Sequence, residues 1–282
     1  MAHEFPDTPP ITASPYQVIC YIIFCYFSGL APSTIRSHIS VIGLAQGCHG
    51  VPDLTSHSLI KKALAGISGL RKKSSSQHSR PILKPITCAL LEGLLSALDD
   101  LYEDRYTATL LRAMFILAFR AGLRCGELLY AAKGKHTLTD SDIKVSLAGK
   151  GVIPYVSLTF HSFKHSKQKV PLVLHLPATN TTLCPVRAIN EYIKIRPTGA
   201  GPFFVFGGGK PVNRPFFVRS LSETCESVGY EKASYNTHSF RIGFVTYLRE
   251  RGVASETIKL LGRWRSSAHE GYNRPAHITI PT

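Results

Sequence analysis

The sequence predicts a mainly α-helical protein of two domains, the second of which carries a small antiparallel sheet. Three observations predict this fold class. Apolar residues recur at intervals of three and four along most of the chain, and they alternate with polar residues only between positions 155 and 177. A polar, basic stretch with prolines separates residues 1–78 from residues 86–282. A length of 282 residues suffices for two domains, each with its own core.

The first 78 residues are expected to be helical. Pro15 suits the first turn of a helix whose apolar positions include Val18 and Ile22 and which Gly29 ends. The stretch "APSTIRSHISVIGLAQ" predicts a second helix with Ser33 as a candidate cap. A third helix is expected in "TSHSLIKKALAGISGLRKK".

Residues 79–85 are interpreted as a linker. They belong to the stretch "RKKSSSQHSRPILKP", which is polar, basic and ends in proline. Two interpretations stay open at this point: a solvated tether, or a segment that follows a phosphate backbone.

The second domain is predicted to begin with the helices "ITCALLEGLLSALDDL" and "YTATLLRAMFILAFRAG". The stretches "YVSLTFHSFK" and "VPLVLHLP" then alternate in the manner of strands. Because the polar turn "HSKQ" lies between them, an antiparallel hairpin is expected. Four more helices are predicted in "CPVRAINEYIKIR", "RPFFVRSLSETCESVG", "HSFRIGFVTYLRERG" and "ASETIKLLG".

The charge balance favours a polyanionic partner. Thirty-three Lys and Arg residues against eighteen Asp and Glu residues give a net charge of +15. Such an excess is typical of proteins that bind nucleic acid or an acidic membrane face, although a merely soluble basic protein is also compatible with it. The content of 44% hydrophobic residues excludes a disordered chain.

Two further patterns concern the compartment. The apolar run "VICYIIFCYFSGLA" is too short to span a bilayer, so no membrane association is expected. The seven cysteines form no CxxC pair and no metal-ligand spacing, which indicates small core residues in a reducing environment. We therefore expect an intracellular protein.

The side chains needed to cleave a phosphodiester without a metal are present. A tyrosine hydroxyl can attack phosphorus once its proton is removed, and planar guanidinium groups match the non-bridging oxygens of the transition state. A lysine can protonate the leaving 5′ oxygen. The sequence contains two arginines, a lysine, a histidine and a tyrosine for these roles: Arg124, Lys164, His238, Arg241 and Tyr272.

The spacing of these residues supports one site. Arg124 is expected at the start of a helix, where backbone amides attract phosphate, and Glu127 lies close enough to orient its guanidinium. His238 and Arg241 are one helical turn apart, after Thr237 as a candidate cap. The alternatives are a surface charge at a helix start for Arg124 and an ordinary capping turn for His238 and Arg241.

Two assignments have competitors. Lys164 lies at the end of the strand that enters the "HSKQ" turn, but Lys167 and Lys169 are close to it. Tyr247 competes with Tyr272 as the nucleophile, although it follows Arg241 on the same helix and is expected in the core.

These stretches resemble the tyrosine recombinases of the phage integrase family, and most of all the recombinases of DIRS-type mobile elements. The matching stretches are "AGLRCGEL", "SFKHSKQKVPLVLHLP", "CPVRAINEY", "HSFRIG" and "LLGRWRSSAHEGY". The N-terminal stretch "GLAPSTIRSHISVIG" is similar to the family's core-binding domain. The resemblance implies a helical, SAM-like core-binding domain over residues 1–78, a linker over 79–85 and a mixed α/β tyrosine-recombinase catalytic domain over 86–282.

The function implied is that of a site-specific DNA recombinase or integrase that needs no metal and no cofactor. In this scheme Tyr272 attacks one strand and forms a 3′-phosphotyrosine bond. Arg124 and Arg241 hold the phosphate, His238 assists the reaction, and Lys164 protonates the leaving oxygen.

The family has one more position, occupied by His or Trp. Trp264 fits it by residue type and lies eight residues before Tyr272, whereas many relatives have their His nine residues before the nucleophile. That spacing corresponds to Arg263. Trp264 is the preferred assignment, and Arg263 remains the alternative.

Double-stranded DNA is the partner that the resemblance implies. The candidate DNA-binding residues are Arg71, Lys72, Lys73, Arg80 and Arg263. Self-association on DNA is expected from the family's tetrameric synapse, but the short segment after Tyr272 argues against a stable tetramer. The nucleus is the expected location if the host is a eukaryote.

Two other functions stay open. A domesticated relative could bind DNA without recombining it, and a type IB topoisomerase would use the same strand chemistry. The stretch "CPVRAINEY" and the N-terminal helices favour the recombinase.

Overall fold

The computed structural model describes residues 12–74, 82–130, 136–146, 153–161 and 171–264. The chain divides into two compact units, Met1–Arg80 and Pro81–Thr282. The division falls inside the stretch expected to be a linker. The assignment of DNA-core binding to the first unit and of catalysis to the second stays a prediction.

The first unit is helical, as predicted. Its helices are α1 (Pro15–Phe27), α2 (Pro32–Cys48) and α3 (Ser58–Ser74). Its core consists of aliphatic side chains that the three helices contribute at helical spacing: Val18, Ile22, Ile35, Ile39, Ile60, Leu64 and Ile67.

The starts of α1 and α2 differ in how well the sequence predicts them. Helix α1 begins at Pro15 as predicted, and the Ser14 hydroxyl accepts the backbone N–H of Gln17. Helix α2 begins at Pro32, with Ala31 at the cap position, so the prediction of Ser33 as its cap is wrong. The fixed φ of Pro32 already suits the first helical residue, which places the start before Ser33.

Helix α1 contains the apolar run noted in the sequence and has 13 residues. Among the helices in the described ranges, none combines the length and the apolar character that crossing a bilayer requires.

The second unit is built mainly from helices around a buried central helix. They are α4 (Cys88–Leu101), α5 (Arg105–Arg120), α6 (Cys125–Leu128), α7 (Pro185–Ile195), α8 (Arg214–Ser227), α9 (Thr237–Glu250) and α10 (Ser255–Leu261). Helix α5 packs against α4, α7 and α9. From Leu110 to Phe119 its residues are buried except Arg112, as expected for a helix covered on all sides.

A three-stranded antiparallel sheet lies against this helical core. Its strands β1 (Ile143–Ser146), β2 (Tyr155–Phe160) and β3 (Leu172–Pro177) are adjacent in that order. Phe160 pairs with Leu172 at the end of β2, so the predicted β2–β3 hairpin is confirmed. The mainly α fold class with a small antiparallel sheet is confirmed with it.

Strand β1 was not predicted from the sequence. It has four residues, and of these only Ile143 and Val145 are apolar. Two apolar positions are too few to define an alternating pattern, so the strand depends on its pairing with β2.

The first half of α9 is held against the chain that enters α4. The carbonyl oxygen of Ser239 accepts the backbone N–H of Ile86 at 3.1 Å. Gly243, one turn further, has no room for a side chain, because a Cβ there would lie 2.0 Å from the carbonyl oxygen of Ile86. This contact fixes the part of α9 that carries His238 and Arg241.

We predict that Gly243→Ala destabilises the second unit by at least about 2 kcal/mol, since the added methyl group must push two backbone segments apart. The matched control is Gly93→Ala in α4, where the nearest atom to a Cβ lies 4.0 Å away. This change should stabilise the protein by about 0.5–1 kcal/mol, through the lower entropy of the unfolded chain. Urea unfolding followed by circular dichroism measures both effects. Equal unfolding midpoints for the two variants would contradict the close approach.

Candidate active site

Arg124 lies directly after the turn that ends α5. Gly122 in this turn has a φ of +52°, in the left-handed region that glycine adopts without strain. A Cβ at this position would also lie 2.5 Å from the Phe244 ring. Helix α6, which follows Arg124, has only four residues and hence a small dipole, so the expected attraction of phosphate by its amides is minor. The guanidinium of Arg124, whose side chain is 22% exposed, supplies the positive charge here.

Glu127 binds two arginines with its two oxygens. Its Oε2 accepts the backbone N–H of Arg124 at 2.8 Å, and its Oε1 accepts Nη1 of the same residue at 3.0 Å. Arg263 donates Nη2 to Oε2 at 2.7 Å and Nε to Oε1 at 3.2 Å. The carboxylate is 1% exposed and therefore depends on these donors.

The charges of this cluster are set by opposing effects. Burial acts to raise the pKa of Glu127, but the adjacent Arg263 and Arg124 outweigh it and lower the pKa below its ordinary value. Burial also lowers the pKa of Arg263, an effect that Glu127 opposes. Glu127 is therefore ionised at neutral pH, between two guanidinium groups.

The side chain of Arg263 is entirely internal, with no exposed surface. Besides Glu127, it donates to the carbonyl oxygens of Leu261, Gly122 and Ala121, at 2.9, 3.2 and 3.3 Å for the shortest bond to each. Its guanidinium carbon lies 4.3 Å from the centre of the Phe160 ring on β2. The backbone is left-handed here, with a φ of +58°, a conformation that residues with side chains rarely adopt.

Arg241 lies on α9 and is 2% exposed. Its Nη1 donates to the carbonyl oxygen of Gly122, and its Nη2 donates to that of Gly262 at 2.9 Å. The ring of Trp264 covers the guanidinium at 4.0 Å, in a cation–π contact.

The turn after α10 brings the two predicted phosphate-binding arginines together. Nη2 of Arg124 donates to the carbonyl oxygen of Arg263 at 2.6 Å, next to the Gly262 carbonyl that Arg241 uses. Two guanidinium groups from distant parts of the chain thus bind consecutive carbonyls. An arrangement of this kind can present two planar cations to one anion.

The chain is similar in sequence to two curated proteins. Over 231 residues the chain is 26% identical to tyrosine recombinase XerC of Brucella suis biovar 1 (strain 1330) and 25% identical to that of Brucella melitensis biotype 1. Each alignment covers 81% of this chain, and the chain spans 66% of the length of each relative. No protein-family model matches the chain.

Solved structures share the fold at low sequence identity. The XerH site-specific recombinase bound to difH substrate superposes with a TM-score of 0.64, at 11% identity, over 96% of this chain and 70% of its own. The Tn1549 transposon integrase in complex with transposon right end DNA gives 0.60 at 16% identity, over 98% and 85%. A lambda integrase dimer bound to a COC′ core site gives 0.55 at 16% identity, over 99% and 71%.

In sequence the chain is thus similar to tyrosine recombinases, and in fold it is similar to site-specific recombinases and integrases.

His238 lies in the first turn of α9 and is exposed. Its backbone N–H donates to Oδ1 of Asn236 at 2.7 Å, so Asn236 caps the helix and the prediction of Thr237 as the cap is wrong. Thr237 is instead the first helical residue. Arg241, three residues after His238, is directed into the protein.

The structure bears on the two candidates for the family's His/Trp position. The ring of Trp264 lies on Arg241, whereas the side chain of Arg263 is directed to Glu127. Of the two side chains, that of Trp264 therefore lies on a predicted phosphate-binding guanidinium, whereas Arg263 contacts Arg124 through its backbone carbonyl oxygen.

Several predicted residues lie outside the described residues. Tyr272, Lys164 and Arg80 are among them, as are the two neighbouring lysines Lys167 and Lys169. Helix α3 includes Lys72 and Lys73, whose side chains are likewise outside the description. Their predicted roles stay predictions.

The remaining candidate DNA-binding residues differ in accessibility. Arg71 is exposed on α3 and donates to the carbonyl oxygen of Leu30 at 3.3 Å. Arg263 was predicted to bind DNA, and its position does not favour this role. Its guanidinium is fully enclosed and bound to Glu127, so it is in no position to contact DNA.

Tyr247, the competing tyrosine, is half-buried on α9. Its hydroxyl accepts Nη1 of Arg120 at 3.1 Å, and its ring packs against Phe119 and beneath the guanidinium of Arg251. These contacts agree with the expectation that Tyr247 is part of the packed interior.

Metal-ligating side chains do not cluster in the part of the chain that the structure describes. No three His, Cys, Asp or Glu residues there are arranged to hold a metal ion.

The burial of Arg263 was not predicted, although the sequence gives a partial signal. Arg263 follows the apolar stretch "LLG" and Glu127 precedes the apolar pair "LL", with one further charge, Arg265 or Arg124, close to each. Opposite charges in two such contexts are expected to be buried as a pair, since an unpaired buried charge is costly.

We predict that Gly262→Ala displaces the Trp264 ring from Arg241, because the new Cβ would lie 1.3 Å from Cζ3 of the ring. Trp264 is the single tryptophan of the chain, so the emission maximum should shift to longer wavelength in the folded variant. Gly126→Ala is the control, since nothing lies within 4 Å of a Cβ there. Emission from Gly262→Ala that matches the wild type would contradict the stacking.

Proposed function

We propose that the protein is a site-specific DNA recombinase or integrase that cuts and rejoins DNA strands through a 3′-phosphotyrosine intermediate. The observation that supports this most directly is the convergence of Arg124 and Arg241 on consecutive carbonyls of one turn. The curated relatives are named as tyrosine recombinases, and the similar structures contain DNA.

The reaction is a pair of transesterifications. The Tyr272 hydroxyl gives its proton to a general base, for which His238 is the candidate, and its oxygen forms a bond to phosphorus. The bond from phosphorus to the 5′ oxygen breaks, and Lys164 gives that oxygen a proton. Arg124 and Arg241 stabilise the charge on the non-bridging oxygens, and His238 assists from the exposed first turn of α9. Attack by a 5′-hydroxyl on the phosphotyrosine reverses the step and rejoins a strand.

The described arrangement has to open before phosphate can bind Arg241. This residue is 2% exposed, two of its donors are directed to the carbonyls of Gly122 and Gly262, and Trp264 covers it. Arg124 is accessible without such a change. We assign Trp264 to the family's His/Trp position, from which its indole N–H can donate to phosphate once the ring shifts.

The partner proposed is double-stranded DNA, and the net charge of +15 supports it. Self-association on DNA, a relationship to DIRS-type elements and an intracellular, in eukaryotes nuclear, location belong to the same proposal. The guanidinium groups supply the positive charge that the transition state needs, so we propose a reaction without metal or cofactor.

A second candidate function is DNA binding without strand exchange. The observation in its favour is the enclosure of Arg241, whose guanidinium binds the protein's own carbonyls. A type IB topoisomerase activity would appear as relaxation of a supercoiled plasmid that lacks any target site.

We predict that Tyr272→Phe abolishes covalent attachment to DNA while DNA affinity changes little. The change removes one oxygen, the nucleophile, and leaves the cations that bind the backbone. The measurement is adduct formation on a nicked suicide substrate in EDTA, with mapping of the attached residue.

The control is Tyr247→Phe, which removes only the hydroxyl that accepts from Arg120. It should form the adduct at close to the wild-type rate. An adduct that survives in Tyr272→Phe and is lost in Tyr247→Phe would reverse the assignment of the nucleophile. Tight binding with no adduct in the wild type would favour the second candidate function.

We further predict that affinity for duplex DNA falls steeply as salt rises, because bound Lys and Arg residues release counterions from phosphate. A plot of log affinity against log salt should have a slope on the order of −5 or steeper if six or more phosphates are contacted. Fluorescence anisotropy between low and physiological salt measures it. A slope near zero would rule out a nucleic-acid partner.

A further inference from the structure

The reaction proposed above gives no role to the side chain of Arg263, although this side chain is fully enclosed at the centre of the site. We infer that Arg263 is a positioning residue that neutralises Glu127 and so leaves the charge of Arg124 available to the scissile phosphate. This inference rests on the proposed function.

The first step is a charge count. Two guanidinium cations and one carboxylate, those of Arg124, Arg263 and Glu127, leave a net charge of +1 in the cluster. Without Arg263 the net charge would be zero, and Glu127 would be a dedicated counterion of Arg124. A phosphate would then compete with a buried carboxylate for the same guanidinium.

The second step concerns how the hydrogen bonds are shared. Arg263 donates twice to Glu127, through Nε and Nη2, whereas the guanidinium of Arg124 donates once, through Nη1. The stronger, two-point partner of the carboxylate is therefore the enclosed arginine. Arg124, which is partly exposed, keeps donor capacity for a ligand.

The third step concerns the backbone. At Arg263 the chain is left-handed, and this turn directs the carbonyls of Gly262 and Arg263 toward Arg241 and Arg124. The side chain holds the turn in place from inside, through Glu127 and the ring of Phe160. Arg263 thus acts on both phosphate-binding arginines without facing solvent.

The experiment compares three variants in single-turnover adduct formation on the nicked substrate. Arg263→Met removes the positive charge and should slow the reaction by roughly a hundredfold or more, with DNA affinity within about threefold of wild type. Arg263→Lys keeps the charge but loses the two-point bond, and should lose roughly tenfold. The double variant Arg263→Met/Glu127→Gln restores the net charge of +1, and should recover about tenfold or more over Arg263→Met.

A matched control uses another arginine–carboxylate pair of the same unit. Arg112 contacts Asp99 at 2.8 Å on the outer side of α5, away from the site. Arg112→Met should leave adduct formation unchanged. Thermal unfolding of each variant ensures that rates are compared between folded proteins.

Recovery in the double variant separates an electrostatic role from a merely structural one, since a second buried substitution should not repair lost packing. A folded double variant no faster than Arg263→Met would overturn the inference, as would wild-type rates in Arg263→Met. Arg263→Met leaves Glu127 as an unpaired buried carboxylate, and if this variant fails to fold for that reason, the folded double variant decides. A double variant that forms the adduct within about tenfold of the rate of Arg263→Lys supports the inference, and a slower double variant overturns it.

One arm is independent of strand chemistry. Inorganic phosphate should raise the unfolding temperature of the wild type by more than that of the Arg124→Ala variant, and this difference is called the excess. The double variant should show the same excess over its own Arg124→Ala counterpart, and Arg263→Met should not. A wild type that forms no adduct but shows the excess would contradict the proposed function and leave the inference intact. Absence of the excess in the wild type would defeat the inference.

Discussion

The interaction on which the candidate site depends is the buried ion pair between Glu127 and Arg263. It joins residues 136 positions apart and connects the turn after α5 to the turn after α10. Enclosing two charges costs free energy. The two hydrogen bonds between Arg263 and Glu127 offset this cost together with the carbonyl groups that accept from Arg263. Removing either partner would leave the other as an unpaired buried charge. The pair therefore fixes the position of Arg124, directly before α6, and the turn of the chain at Arg263.

The other features of the site follow from that junction. Because Arg263 draws the two turns together, the carbonyls of Gly122 and Gly262 come within reach of Arg241. The same closeness leaves no room for side chains at either glycine, where Phe244 and Trp264 occupy the space. The site is thus assembled through backbone carbonyls, which accept hydrogen bonds without adding a full negative charge. Among the site residues that the structure describes, the cations outnumber the carboxylate of Glu127.

The extent to which sequence predicts this molecule depends on how local each feature is. Helix α5 and the β2–β3 hairpin have long, regular apolar patterns, and both were predicted. Strand β1 and the cap of α9 were not, because four residues define no period and because Asn236 and Thr237 are adjacent residues that can both cap a helix, of which Asn is the better one. Arg124 and Arg241 were predicted from the chemistry of phosphate. The inward direction of Arg263 depends on a left-handed residue and on a partner 136 positions away. Apolar neighbours in the sequence indicate burial, but no local pattern identifies that partner or the left-handed turn.

The enclosed state of Arg241 is compatible with phosphate binding on energetic grounds. In the described arrangement its charged donors bind neutral carbonyls, so each of these hydrogen bonds is assisted by one charge. Exchanging the carbonyls of Gly122 and Gly262 for two phosphate oxygens keeps that assistance and adds the attraction between opposite charges. This attraction offsets the loss of the Trp264 stacking, which is worth about 0.5–2 kcal/mol. In a site built in this way, backbone carbonyls accept from the guanidinium groups in the absence of DNA. A charged acceptor such as phosphate can then replace these carbonyls.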